Sequence, residues 1–189
     1  SPFGHAELDC EALLAAPRDI GLRALAAIIR AVGGHDYAPR LDALEGLYGA
    51  ALDRKLGGGR TLAGVKLAAS GRRIVALREL AAALKAAPLS LRAKEEGLWD
   101  GRFHLALLKA PRGERLTVQA LGQAGLATLA AHGTVIPKQQ KTALFSLPAL
   151  WRDGALVAAP HLGTLDPRII CHAVHRPSGF WSQKRPGDA

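Results

Sequence analysis

Three stretches in the first half of the chain repeat apolar residues with a helical period. Residues 5–16 are rich in Ala and Leu, with Leu8, Leu13 and Leu14, and their acids fall near the start, where a helix dipole favours them. Pro17 breaks that stretch. Over residues 18–32, Leu25, Ile28, Ile29 and Val32 fall at i, i+3, i+4 and i+7, which predicts one amphipathic helix. Gly33-Gly34 closes it as a left-handed cap would. Residues 41–55 repeat the stripe with Leu44, Leu47, Tyr48 and Ala51, and Gly57-Gly58-Gly59 ends it.

Then the period drops to two. Thr61, Ala63, Val65 and Leu67 alternate with Leu62, Gly64 and Lys66. Beyond Ser70-Gly71, Arg73, Val75 and Leu77 alternate with Ile74, Ala76 and Arg78. Two alternating runs around a Ser-Gly turn predict a hairpin with a basic face or edge. Residues 79–87 again read as helix, Pro88 marks a change of character, and a domain boundary is expected within 85–95.

The second half is β-rich. Asp100-Gly101 sits between Leu98-Trp99 and the apolar run 103–108, a strong hairpin signal because both turn residues must accept positive φ. Residues 116–121 read as a strand and 125–131 as a short helix. Asp153-Gly154 marks a second turn between 143–152 and 155–159, with Pro148 and Pro160 at strand ends or a sheet edge. From His175 onward the composition predicts a loose tail, with Phe180 and Trp181 as a local anchor. The expected fold class is α+β: a helical domain with a basic β-hairpin over 1–90, a smaller β-rich α+β domain over 91–175, and a flexible tail over 176–189.

Composition narrows the class. The 189 residues are 49% hydrophobic and 22% charged, which describes a globular chain and excludes a wholly disordered one. At this length about 70% of the unfolded surface can be buried without a metal or disulfide staple. No apolar run is long enough for a membrane helix, so no membrane partner is expected. Two cysteines, Cys10 and Cys171, make no disulfide framework, and a reducing compartment, the cytoplasm, is the simpler reading. The count of Met is 0, and the expectation is therefore a piece of a longer protein.

Charge is unevenly placed. Residues 1–53 carry a net −4 and residues 54–189 a net +13. The densest block holds Arg54, Lys55, Arg60, Lys66, Arg72, Arg73 and Arg78 with no acid from 54 to 78. Such a block attracts polyanions, because each phosphate neutralised releases counterions; the bland alternative is the solvated face of a basic protein. Arg60, Lys66, Arg72, Arg73 and Arg78 are the candidate phosphate contacts, and Arg102 beside Phe103 extends the set into the second half.

Signals for chemistry are weak. Gly57-Gly58-Gly59-Arg60 lacks the Lys-Ser/Thr ending of a P-loop and precedes a strand, so it reads as a connecting loop. Cys171, His172 and His175 are metal-ligand types, but a closed site needs four ligands, and His5, Cys10 and His161 show no paired spacing. There is no Gly-x-Ser-x-Gly elbow. Glu95-Glu96 read as a solvated loop or helix start, and Asp100 and Asp153 as turn residues. No catalytic and no metal-binding residue is assigned, which favours a binding module.

Several segments taken in order resemble a known family. Residues 19–32, Gly33-Gly34, Pro39-Arg40, the helix at 41–54, the run 60–64 and the run 72–79 ending in Arg78-Glu79 resemble the region after the catalytic domain of bacterial tRNA(Ile)-lysidine synthases. Trp99-Asp100-Gly101-Arg102-Phe103, residues 147–150 and Asp153-Gly154 resemble its C-terminal part. The likeness covers most of 17–165, and the chain from about His172 matches nothing in it.

The resemblance implies an enzyme that uses ATP to adenylate the wobble cytidine of a minor isoleucine tRNA and then attaches lysine. It implies that this work belongs to an N-terminal domain with a Ser-Gly-Gly-x-Asp-Ser loop, a motif this sequence does not contain. No catalytic residue is therefore carried over, no cofactor is expected here, and ATP and Mg are expected with that other domain. The implied partners are tRNA, the N-terminal catalytic domain of the same protein and a second copy in a homodimer. Two competing readings remain: a protein-interaction or dimerisation module without RNA binding, and a small enzyme around Cys171, His172 and His175.

Overall fold

Apolar side chains gather into two cores, one in each half of the chain. The computed structural model describes residues 1–137 and 141–177; the tail expected from 176, with Phe180 and Trp181, lies almost wholly outside the described residues. Helices and antiparallel sheets occur together, as an α+β fold requires.

The first half contains β1 (Ala6–Asp9), α1 (Cys10–Ala15), α2 (Arg18–Gly33), α3 (Leu41–Leu52), β2 (Arg60–Leu62), β3 (Val65–Ser70) and β4 (Arg73–Arg78). The strands form one antiparallel sheet in the order β1-β4-β3-β2. Helices α2 and α3 cover one face: Leu25, Ile29 and Val32 meet Leu44, Leu47 and Tyr48 over Val65, Leu67, Ile74 and Ala76. Gly34 caps α2 in the left-handed region at φ 68°, its N–H donating to the Arg30 carbonyl.

One expectation is overturned. The predicted helix over 5–16 is a strand followed by a single short helix. β1 pairs with β4 from Ala6↔Ala76 to Asp9↔Arg73. Ala6 and Leu8 turn to the core while Glu7 and Asp9 turn out, so four residues satisfy a period of two. Asp9 then accepts the Ala12 N–H at 2.9 Å and caps α1. Strand pairing with β4 overrides local helix propensity, which is worth only tenths of a kcal/mol per residue.

The second half contains α4 (Leu80–Leu84), β5 (Leu89–Leu91), β6 (Glu95–Trp99), β7 (Phe103–Lys109), β8 (Leu116–Ala120), α5 (Gly122–Ala131), α6 (Lys141–Leu144), β9 (Pro148–Arg152), β10 (Ala155–Ala159), β11 (Gly163–Thr164) and β12 (Ile170–His175). They make a five-stranded sheet, β11-β10-β9-β8-β5, and a three-stranded one, β12-β7-β6. Trp99, Phe103, Leu105 and Leu107 from the smaller sheet share a core with Leu116, Val118 and Leu150 from the larger, and with Leu129 of α5. Strand β12, where the pattern predicted no element, pairs along β7 from Ile170↔Lys109 to His175↔Phe103. Its inward residues, Cys171, Ala173 and His175, are too weakly apolar to mark it as a strand.

The two halves meet at a buried ionic joint. The β6–β7 turn has Asp100 at φ 53° and Gly101 at φ 62°, as its Asp-Gly signal requires. The Asp100 carboxylate accepts from Arg78 Nη2 at 2.6 Å and Nε at 3.2 Å, and from Arg102 Nε at 2.8 Å. Arg102 Nη2 also donates to the Ser146 carbonyl at 2.8 Å, and its guanidinium lies over the Phe103 ring. The three side chains are 8%, 3% and 0% exposed. Backbone packing closes the joint: a Cβ on Gly101 would fall 2.2 Å from the Gly34 carbonyl oxygen. Helix α6 packs against β4 beside it. His161 is half-buried edge-on against Phe103, and desolvation holds its pKa near 4.

Asp100→Asn keeps the shape and tolerates positive φ but leaves two buried guanidinium groups without a carboxylate. Urea unfolding should show a loss of about 3–5 kcal/mol; a loss under 1 kcal/mol would mean the joint is not an energetic link. His161 binds its proton more readily unfolded, near the ordinary value of about 6.5, than folded. Its contribution is fully present above pH 6.5 and falls as pH drops from about 6.5 to about 4. Thermal melts across that range should therefore show a shallower pH dependence in His161→Phe than in the parent.

Candidate nucleic-acid interface

Arg60, Lys66, Arg72 and Arg73 stand on a three-stranded meander, β2–β3–β4, built by two tight turns. Ala63 and Gly64 turn β2 into β3 with φ of 49° and 67°. Gly71, at φ 60°, opens the two-residue turn between Ser70 and Arg73, so Arg72 sits at its tip. Val65 and Leu67 turn inward to α2 and α3; Lys66 turns to the other face, between Thr61 and Leu77 on the neighbouring strands. The Lys66 stem lies across Gly59, where a Cβ would fall 2.1 Å from Lys66 Cε. Arg60 is exposed at the start of the edge strand β2 and donates from Nε to the Lys55 carbonyl at 3.3 Å.

The hairpin tip faces acids from the start of the chain. Arg72 Nη2 reaches Glu11 at 2.5 Å, and Arg73 pairs with Glu7. Both arginines stay largely exposed, at 75% and 64%. The Asp9 carboxyl is held below the usual carboxylate range, mainly by the Ala12 N–H, with Arg72 and Arg73 adding to it. Exposed pairs of this kind contribute about 0–1 kcal/mol, so a phosphate can replace the carboxylate at little cost. A groove of about 100 Å³ runs beside the tip, between Cys10 and Glu11 of α1, Arg54 and Leu56 beyond α3, and Arg72.

Arg78 and Arg102 stand elsewhere. Both belong to the joint, with their charges turned onto Asp100 and only 8% and 0% of their side chains exposed. Desolvation pulls the Arg102 pKa down to about 10, and it stays protonated at neutral pH. Both guanidinium groups are committed to Asp100 and nearly buried, so the candidates exposed to a partner are Arg60, Lys66, Arg72 and Arg73. Sequence reasoning missed Asp100 as the acid that holds them. The signal was Asp-x-Arg across the turn, but the turn itself already accounted for the Asp.

The remaining chemistry-bearing residues are dispersed. In β12, Cys171 and His175 turn inward while His172 turns out. Burial pushes the Cys171 thiol up to about 12 and His175 down to about 4. Among the described residues no three His, Cys, Asp or Glu side chains converge on a metal-sized site. Gly57-Gly58-Gly59 leads into β2, not a helix, so it presents no helix N-terminus to a phosphate. Among the described residues no helix is long and apolar enough to cross a membrane.

The geometry leaves one exposed basic hairpin and no catalytic constellation among the described residues. No protein-family model matches the chain. The chain is similar to two tRNA(Ile)-lysidine synthases. With that of Ruegeria pomeroyi it is 32% identical over 153 residues, covering 78% of this chain and 32% of that enzyme. With that of Wolbachia pipientis it is 24% identical over 186 residues, covering 89% of this chain and 39% of that enzyme. The similarity relates the chain to this group of synthases, and the chain spans about a third of the length of the curated relatives it matches.

Proposed function

We propose that this chain is a tRNA-binding C-terminal part of a tRNA(Ile)-lysidine synthase, supplying substrate contact while the chemistry resides in the rest of the protein. The observation that carries the reading is the exposed basic hairpin on a chain similar over most of its length to two such synthases. In this reading the whole enzyme joins lysine to the wobble cytidine of isoleucine tRNA in the cytoplasm. ATP and Mg bind the catalytic domain, which is the chain's first partner, and a second copy is a further partner.

Binding follows from charge exchange. Arg60, Lys66, Arg72 and Arg73 meet phosphates on the RNA backbone, and the phosphates displace Glu7 and Glu11 from the two arginines. Such contacts fix register and supply affinity without reading bases. Affinity then falls linearly with the logarithm of salt concentration, by roughly one unit of slope for each phosphate neutralised.

The test is a titration of the 189-residue chain against isoleucine tRNA with an unmodified wobble cytidine, beside a non-cognate tRNA, at several salt concentrations. Replacing Arg72 and Arg73 together by Ala should weaken binding to both and lower the salt slope by about 1–2. Glu7→Gln with Glu11→Gln should tighten binding, since the arginines then lose their internal competitors. A stable oligomer that binds neither RNA would overturn the proposal in favour of a protein-interaction module.

A further inference from the structure

The fold assembles a second basic surface that no contiguous stretch of sequence displays. Arg92 and Lys94 lie in the β5–β6 loop, Lys109 ends β7, and Arg112 and Arg115 lie in the loop from β7 to β8. Pairing of Leu91 with Leu116 sets residues 92 and 115 opposite each other just past the end of the ladder. Arg115 Nη1 donates to the Ser90 hydroxyl at 3.3 Å. The Lys94 N–H donates to the Leu107 carbonyl at 2.6 Å, two residues before Lys109. All five side chains belong to exposed residues at one end of the second half.

We infer that this end is a second phosphate-binding surface for the same RNA. The inference rests on the tRNA-binding reading above. Its particular support is that none of the salt bridges among the described residues involves any of the five. The acids interleaved with them in sequence are turned to other work. Glu95 accepts the Arg92 backbone N–H at 2.7 Å. Glu114 accepts from Arg152 Nη2 at 2.6 Å and Nε at 3.0 Å. Glu96 lies 3.9 Å from His104. At the β3–β4 tip a phosphate must displace carboxylates; here it meets cations that no salt bridge among the described residues holds. None of the five is aromatic, so the chemistry suits backbone phosphates, not base stacking.

Position relates the two surfaces. Arg73 and Arg78 are the two ends of β4, and Arg78 is in the joint. Lys94 and Lys109 lie at the end of the β6–β7 hairpin opposite Asp100. At about 3.4 Å per residue, Arg73 stands about 17 Å along β4 from the joint and Lys94 about 20 Å along β6 from it. The buried Arg78–Asp100–Arg102 contact therefore fixes the spacing between them.

The test compares two matched double variants, each confirmed as folded by its urea midpoint. Arg112→Gln with Arg115→Gln removes two cations from the proposed surface; Arg18→Gln with Arg23→Gln removes two exposed cations of α2, which belong to neither surface. With isoleucine tRNA, the first pair should weaken binding about tenfold and lower the salt slope by about two, while the second leaves the slope unchanged. Equal effects of both pairs would reduce the result to net charge and overturn the second surface. An unchanged slope in the first pair, with the parent still binding RNA, would overturn it and leave the hairpin proposal standing. A parent chain that binds no RNA at any salt would overturn both.

Discussion

Asp100 holds the two halves of this chain in one arrangement. Its carboxylate takes Arg78 from the last residue of β4 and Arg102 from the last position of its own turn. One acid against two bases leaves a net positive charge in a nearly dry place, which is unfavourable unless other dipoles complete it. The Ser146 carbonyl does so for Arg102 Nη2, the Gly64 carbonyl lies 3.4 Å from Arg78 Nη1, and the Phe103 ring offers its negative face to the Arg102 guanidinium. The close passage of Gly34 and Gly101 follows from the same requirement: with a side chain at either glycine, the turn could not approach the end of α2. The joint thus depends on a charge pattern and on two positions without a Cβ.

That arrangement changes what the net charge means. A count of +9 invites a uniform basic surface, yet the bases that are paired fall into three different states. Arg78 and Arg102 act inside the fold. Arg72 and Arg73 are on the surface but lightly neutralised by Glu7 and Glu11. Arg152 is divided between Glu114 and Asp166, and Arg168 binds Asp166 as well. Affinity for a polyanion depends on the cations that remain after these assignments, and their positions are set by loop and ladder geometry, not by local density in sequence.

Much of the fold was legible because it is governed by local rules. The stripe Leu25, Ile28, Ile29, Val32 gives α2, Gly34 gives its left-handed end, and both Asp-Gly pairs give turns with positive φ. Residues 6–9 and 170–175 were illegible for the opposite reason. Each is an edge strand whose pairing partner, β4 or β7, is distant in sequence, and neither carries enough apolar residues to announce a face. The site divided the same way. Arg72 and Arg73 on a turn between two alternating runs are exposed by construction, whereas the burial of Arg78 and Arg102 depends on an acid that arrives from another strand. Arg78 shares the phase of Ile74 and Ala76, opposite to that of Arg73, but at the end of a strand this phase alone does not separate a buried ion pair from an exposed cation.

Rigidity at the joint then bears on binding itself. Two weak phosphate surfaces on a floppy chain would each lose translational and internal freedom on meeting RNA, and their contributions would scarcely combine. Held at a fixed spacing by a buried contact, the second surface meets the backbone at a high effective concentration once the first is engaged. Because the surfaces read phosphates, the joint turns charge into shape: an RNA whose backbone presents phosphates at the matching separation gains both contacts, and one that does not gains only the nearer. Discrimination of this kind needs no base-specific side chain on either surface. It needs only that β4 and the β6–β7 hairpin cannot move independently, which is the condition the Asp100 carboxylate imposes.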